Sequence, residues 1–283
     1  MTLAPDPAIL DVSPAGVAVV TINRPQKRNA FDELTIAALG EAFETLRGAD
    51  HVRICFIRGA GEHFSAGADL DWMKRQGERT QADNEADALA LAKMLKALHD
   101  LPMFTVALVD GAAMGGGAGL VAASDYAIAT KRASFRFTEV RLGLTPATIS
   151  PYVVEAVGAR NARMLFASAM PFDAEGALRY GLIHEIVEND AELDAAMRRL
   201  ADLAFENAPG AVADAKALVR HIQDDVTRPR HMLAPQIAAG HLVDSELLHE
   251  TARRIAQRRA SDEGREGLAA FLERRKPKWA EGE

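Results

Sequence analysis

The stretch from Thr105 to Leu144 constrains this chain more than any other. An apolar run, Thr105–Val109, leads into three consecutive glycines, Gly115–Gly117, and a small-residue apolar helix, Ala118–Ala123, leads out of them. Strand, glycine turn and helix start together leave backbone N–H groups at the positive end of a helix dipole. Such a turn holds a phosphate or a developing oxyanion. Twenty positions after Gly119 comes Glu139, flanked by apolar Phe137, Val140 and Leu142. A carboxylate beside exposed N–H groups suggests proton transfer next to a stabilised carbonyl. Two common glycine motifs do not fit. The dinucleotide pattern G-x-G-x-x-G fails because its last glycine falls on Leu120 or Ala122, and the Walker loop fails because Gly117 follows Gly116 where a lysine is required. A tight turn with close helix–strand packing uses glycines equally well.

Composition narrows the classes. Of 283 residues 48% are hydrophobic, ample for a buried core, and the net charge of −7 argues against a nucleic-acid partner. The one cysteine, Cys55, lies in the apolar run Ile54–Ile57 and reads as core; it excludes an internal disulfide framework and suits a reducing compartment. No stretch is long and apolar enough to span a bilayer, and the N-terminus shows no signal-peptide pattern, so a cytoplasmic protein without a membrane partner is expected.

Along the chain, strands are expected at Val17–Ile22, Arg53–Arg58, Thr105–Val109, Tyr126–Ala129 and Ser134–Phe137. Helices are expected from Asp32, as N-cap, to about Arg47, after Ala66–Asp69, and over Gln81–His99, which Pro102 closes. Short apolar strands separated by helices indicate an α/β fold with largely parallel pairing. Beyond about Asp190 the pattern is helical only: Ala191–Glu206, Pro209–His221, Glu246–Arg259 and Gly264–Arg275. The division expected is a core at 1–190 and a helical region at 191–283.

Several separated motifs occur in one order: N-R-P at Asn23–Pro25, N-A-F at Asn29–Phe31, F-S-A-G-A-D-L from Phe64, G-A-A-M-G-G-G from Gly111, F-T-E-V-R-L-G-L from Phe137, and E-G-L-A-A-F-L-E-R-R-K-P at Glu266–Pro277. In this the chain resembles the crotonase (enoyl-CoA hydratase/isomerase) superfamily over nearly its whole length. The resemblance implies a spiral of β-β-α units followed by a C-terminal helical segment that packs at subunit contacts, giving a homotrimer or homohexamer. It implies an acyl-CoA substrate and no separate cofactor or metal, coenzyme A being part of the substrate.

The same resemblance assigns site residues. The acyl thioester carbonyl is bound by two backbone N–H groups, which fall on Ala68 and Gly116. Reaction at C2 or C3 of an acyl-CoA places negative charge on that oxygen, and each preorganised donor is worth about 3 kcal/mol. Glu139 falls on the acid/base that exchanges a proton at C2. Coenzyme A is expected along the backbone near Arg28, Ala30 and Ala66, with Asp69 and Leu70 at the adjoining helix start and Phe271 and Arg274, from a neighbouring subunit, near the nucleotide. Asp69 is more simply the cap of the local helix. The family's hydratases carry a second Glu where this chain has Gly119, which favours Δ3,Δ2-enoyl-CoA isomerisation as the rival reaction.

A finer similarity bears on that choice. G-G-G-A-G-L-V-A-A-S-D, E-V-R-L-G-L-T-P-A-T-I-S-P-Y-V-V and D-L-D-W-M-K-R are similar to bacterial methylglutaconyl-CoA hydratases of leucine breakdown and to hydratases of acyclic terpenoid degradation. Those lack the second Glu, and their substrates carry an extra carboxylate that Arg141, Lys74 or Arg75 could meet. Hydration of a 2-enoyl-CoA is therefore the leading expectation. A crotonase relative that binds RNA or a partner without catalysis is the alternative of a different class, disfavoured by the acidic balance and by Glu139. A serine hydrolase built on Ser65 is a weak rival, because H-F-S-A-G lacks the first glycine of a nucleophile elbow. His63, in the same loop, is left unassigned.

Overall fold

The computed structural model describes residues 6–227 and 245–280. The chain divides into two compact units, Met1–Ala201 and Asp202–Glu283. The first opens with β1 (Ala8–Val12), β2 (Val17–Ile22), α1 (Glu33–Arg47), β3 (Ile54–Gly59), α2 (Leu70–Gly77) and α3 (Gln81–His99). It continues with β4 (Phe104–Val109), β5 (Ala112–Met114), α4 (Gly116–Ala123), β6 (Tyr126–Thr130) and β7 (Ser134–Arg136). After α5 (Ser150–Ser168), β8 (Phe172–Asp173), α6 (Ala174–Tyr180) and β9 (Glu185–Val187), α7 (Asp190–Glu206) runs across the division. Among the described residues the strands end at Val187, while the compact unit extends to Ala201.

Two sheets form. The larger has the order β1-β2-β3-β4-β6-β9, antiparallel only between β1 and β2. Its central strands are buried on both sides, as continuous apolar runs such as I-C-F-I at Ile54–Ile57 require. Cys55 lies fully inside that core. The smaller sheet joins β5, β7 and β8, with β5 parallel to β7. Helix α1 forms where Asp32 caps it, accepting the Thr35 N–H at 2.9 Å, and Ile36, Leu39, Phe43 and Leu46 recur on one buried face. That face packs on α3, and α4 packs on α5. In the second unit α8 (Pro209–Thr227), α9 (Ser245–Ala260) and α10 (Asp262–Glu273) are joined by Arg258–Asp214 at 3.1 Å and by Glu263, which accepts the Gly210 N–H at 3.0 Å.

One expectation is corrected. The run Thr105–Val109 does not itself enter the glycine turn. It is the body of β4, and the chain then switches sheets, so that the three-residue β5 delivers the turn. The helix also begins at Gly116, two residues before the expected Ala118. Small residues at Ala112 and Ala113 carry too little apolar signal to be read as a strand, and the alternation needed to show one does not fit in three residues.

Gly119 on α4 is set by close approach. A Cβ placed there would stand 2.4 Å from Ile149 Cγ2, and Ile149 is itself buried at the start of α5. Gly119→Ala is expected to lose about 1–3 kcal/mol by overpacking. Combined with Ile149→Ala, the total loss should be smaller than the sum of the two single losses, because one change makes room for the other. Urea unfolding of the four proteins measures this; strict additivity would show that the two side-chain positions do not share the space.

Candidate active site

Backbone register assembles the site. Ser65 pairs in parallel with Ala113, and Ala113 with Phe135. Three neighbouring segments thus run the same way, and the turns beyond them meet at one end. Ala68 comes three residues after Ser65, Gly116 three after Ala113, and Glu139 four after Phe135. A further parallel bridge sets Phe31 against Ala68. Positions separated in sequence by more than seventy residues are brought together by hydrogen bonds that use no side chain.

Each of the two turns leaves a donor open. Around Ala68, the Gly67 N–H goes to Ser65 Oγ at 3.2 Å and the Asp69 N–H to the Phe31 carbonyl at 2.8 Å, while the Ala68 N–H has no acceptor among the described residues. In the other turn the Gly115 N–H goes to the Arg136 carbonyl at 2.9 Å and the Gly119 N–H to the Gly115 carbonyl at 3.0 Å. Gly116 is the first residue of α4, whose leading N–H groups have no intrahelical partner. Gly115 takes φ +48°, the left-handed region in which a side chain is strained.

Glu139 lies against that turn: a Cβ at Gly115 would stand 3.2 Å from Glu139 Oε1. The carboxylate is half-buried, at the start of a 3-10 turn over Glu139–Leu142, and its Oε2 is buried with no hydrogen-bond partner among the described residues. Burial pushes its pKa above the usual glutamate value, and the backbone N–H groups of Glu139 and Thr138 offset this only in part. It is not the solvated turn carboxylate that a lone Glu usually is. A half-buried carboxylate with one oxygen unpartnered and a raised pKa, beside open N–H donors, can take a proton and return it.

The remaining expected residues fall as follows. Arg28 and Asn29 are consecutive left-handed residues, at φ 50° and 57°. This strain is held by Asn29, whose side chain accepts the Arg24 N–H at 2.9 Å and donates to the carbonyls of Ala60 and His63. Of the backbone groups expected to meet coenzyme A, the Ala66 N–H already donates to the Arg28 carbonyl at 2.9 Å, the Ala30 N–H to Lys27, and the Ala30 carbonyl accepts from Arg24. Among the described residues the Ala66 carbonyl is left open. Asp69 caps α2, accepting from Asp71 and Trp72, and Leu70, at 73% exposure, stands on the first turn. Phe271, at 80% exposure, and Arg274, the left-handed cap of α10, belong to the second unit.

The serine-hydrolase rival loses its chemistry. Ser65 is fully buried, and its hydroxyl donates to the Asn29 carbonyl at 2.8 Å while accepting the Gly67 N–H. It is a strut between loops. His63 Nδ1 accepts the Ala112 N–H at 3.2 Å, a structural bond. No group of His, Cys, Asp and Glu able to hold a metal occurs among the described residues, and no helix of the described residues is long and apolar enough to cross a membrane. Ile149 was not anticipated. Gly119 announces a large neighbour, but nothing local in the sequence says which residue supplies it.

Comparison with known proteins identifies the family. The chain matches the family model for enoyl-CoA hydratase/isomerase over residues 13–282. A carnitinyl-CoA dehydratase of Salmonella arizonae is 34% identical over 270 residues, 92% of this chain and 93% of the relative. An enoyl-CoA hydratase from Shewanella pealeana superposes with a TM-score of 0.87 at 40% identity, over 96% of each chain. AtuE of Pseudomonas aeruginosa gives 0.86 at 33% identity, over 97% of this chain and 100% of that one. The fold, the glycine turn and the match over nearly the whole length place this chain in the enoyl-CoA hydratase/isomerase family, the crotonase superfamily.

Proposed function

We propose that the protein is an enoyl-CoA hydratase that adds water across the 2,3-double bond of a 2-enoyl-CoA, with Glu139 as the one protein carboxylate that moves protons. The observation that carries this reading is the Glu139 carboxylate itself, half-buried, unpartnered at Oε2 and set against the glycine turn. In the proposed reaction the Ala68 and Gly116 N–H groups bind the thioester oxygen. Glu139 takes a proton from water as the water oxygen bonds to C3. The electron pair of the double bond moves to C2, and the enolate formed is held by the two donors. The protonated Glu139 then delivers its proton to C2. One carboxylate serves both steps if addition is syn, and H and OH are both accounted for.

The space at Gly119 bears on how water is oriented. Ile149 fills it with an apolar side chain, so no second polar group acts from there. Of the polar residues at 145–150, Ser150 spends its hydroxyl on the Ala147 carbonyl, Thr145 is exposed and Thr148 is half-buried. We assign the missing orientation to the substrate's own distal carboxylate, as in 3-methylglutaconyl-CoA. Arg75 is already paired with Glu33 at 2.9 Å, whereas Arg141, two residues from Glu139, is exposed and has no ion pair among the described residues. The proposal includes a homotrimer or homohexamer in which Phe271 and Arg274 reach a neighbour's nucleotide. The apolar Ile149 also favours a second reading, Δ3,Δ2-enoyl-CoA isomerisation, which needs a proton carrier but no water.

Conversion of 3-methylglutaconyl-CoA, crotonyl-CoA and a 3-enoyl-CoA, followed by mass spectrometry, separates the two because only hydration adds mass. Fastest hydration of the carboxylated substrate is expected; faster conversion of the 3-enoyl substrate, with no water entering either 2-enoyl substrate, would leave isomerisation.

Glu139→Gln should lower kcat by about 10²–10⁴-fold while leaving acyl-CoA binding in place. The same substitution should raise Tm at neutral pH. A folded-state pKa above the unfolded one means that the native state binds more protons between the two values, so stability falls as pH rises through that window. The glutamine variant escapes this cost, and its advantage should vanish below the unfolded pKa. Thermal melts across pH measure it; a Tm that drops at neutral pH would show that the carboxylate is stabilising where it stands.

A further inference from the structure

Arg24 stands immediately before the turn that carries Arg28 and Asn29, and its guanidinium meets three acceptors. Nη1 donates to the Ala30 carbonyl at 2.6 Å, and Nη2 lies 2.9 Å from Asp32 Oδ2 and 3.1 Å from Asp69 Oδ2. Ala30 and Asp32 flank Phe31, and Asp69 follows Ala68. These are the residues on either side of the bridge in which Phe31 donates to the Gly67 carbonyl at 2.7 Å and accepts from Asp69 at 2.8 Å. The root of the side chain is fixed as well, because the Arg24 N–H goes to Asn29 Oδ1 and the Asn29 N–H to the Arg24 carbonyl, each at 2.9 Å. All three side chains are largely removed from solvent: Arg24 keeps 15% of its exposure, Asp32 16% and Asp69 5%.

We propose that Arg24 is a positioning residue for the oxyanion donor, its guanidinium clamping the backbone on both sides of the Phe31–Ala68 bridge so that the Ala68 N–H is held toward the thioester oxygen. This rests on Ala68 serving as a donor in the hydration proposed above. The planar fork is well matched to such a clamp. It offers directed N–H groups to a carbonyl and two carboxylates at once, where an ammonium is a point charge on a flexible stem. Both carboxylates are also committed elsewhere, Asp32 as cap of α1 and Asp69 as cap of α2, so the clamp ties two helix starts to one strand end. Burial alone would raise the Asp69 pKa, but the N–H groups of Asp71 and Trp72, with the charges of Lys27 and Arg24, outweigh it and keep Asp69 an anion. Lys27 is a looser partner of Asp69, at 3.9 Å and half exposed, and cannot replace the fork. A donor displaced by a fraction of an ångström still binds the substrate but stabilises the developing charge poorly.

The test compares Arg24→Met, Arg24→Lys and Thr105→Val in the full-length protein. Thr105 lies near the N-terminal end of β4, away from the glycine turn, where its hydroxyl donates to Asp125 at 2.9 Å; its loss lowers Tm by a route unrelated to the donor. Arg24→Met should lower kcat by about 10- to 100-fold with KM within about 3-fold. Arg24→Lys should recover most of the Tm yet little of the kcat, and Thr105→Val should lose Tm with kcat unchanged. A bound 4-dimethylaminocinnamoyl thioester of coenzyme A supplies a second readout, since its absorption moves to longer wavelength as its carbonyl is polarised; the Arg24 variants should show a smaller shift than the wild type. If Arg24→Met fails to fold, the lysine variant decides. An unchanged kcat in either folded Arg24 variant, or a Thr105→Val protein whose kcat falls with its Tm as far as in the Arg24 variants, overturns the clamp while leaving hydration standing. A wild type that hydrates no enoyl-CoA but shows a red shift dependent on Arg24 overturns the reaction and keeps the clamp.

Discussion

The parallel pairing of Ser65, Ala113 and Phe135 is the constraint on which the rest of this site depends. Parallel strands leave their C-terminal ends on one edge, so the turns beyond them are forced together whatever their side chains. Here those turns carry an open N–H at Ala68, an open N–H at Gly116 and the Glu139 carboxylate. The pairing tolerates almost no bulk. A Cβ at Gly117 would stand 2.7 Å from Ser65 Cβ, and the Ser65 hydroxyl is spent closing its own loop onto Asn29 and Gly67. The small residues in this stretch are therefore explained by backbone contact before any chemistry is invoked.

Two carboxylates a short way from the same edge show how environment sets role. Asp69 receives two backbone N–H groups and the Arg24 guanidinium, and remains an anion that caps α2. Glu139 is half-buried with its Oε2 buried and unpartnered, so its charged form is the costly one and its proton affinity rises. The first is held still by everything around it, and the second is left with an unmet hydrogen-bonding demand. Such a demand costs stability in the free protein and becomes useful when a proton has somewhere to go. The apolar contact between Gly119 and Ile149 bears on the same chemistry by keeping a second polar group away from that part of α4.

The organisation of the chain was legible in its residues wherever a long period or a cap carried the signal. Helix α1 could be placed from the Asp32 cap and the Gly48 stop, and α3 from the periodicity of Gln81 to His99, because helix caps and the 3.6-residue period are local properties. The same holds for β2, β3 and β4, whose apolar runs are long enough to stand out. Strand β5 was not legible: two alanines and a methionine are too short a run to show a period, and they become a strand only because β7 and Ser65 lie beside them.

At the site, sequence alone determined which residue types were available: a glycine turn ahead of a small-residue helix, and a glutamate among apolar neighbours. Those follow from chain chemistry that needs no partner. Only the tertiary structure decided that Glu139 is half-buried with Oε2 unpartnered, that Ser65 and His63 are struts, that Ile149 fills the space at Gly119, and that Arg24 joins Asp32 to Asp69. Each of these depends on a contact between residues distant along the chain. Burial, the loss of a free lone pair and the meeting of charges are properties of the space around a side chain, and that space exists only once the strands have paired.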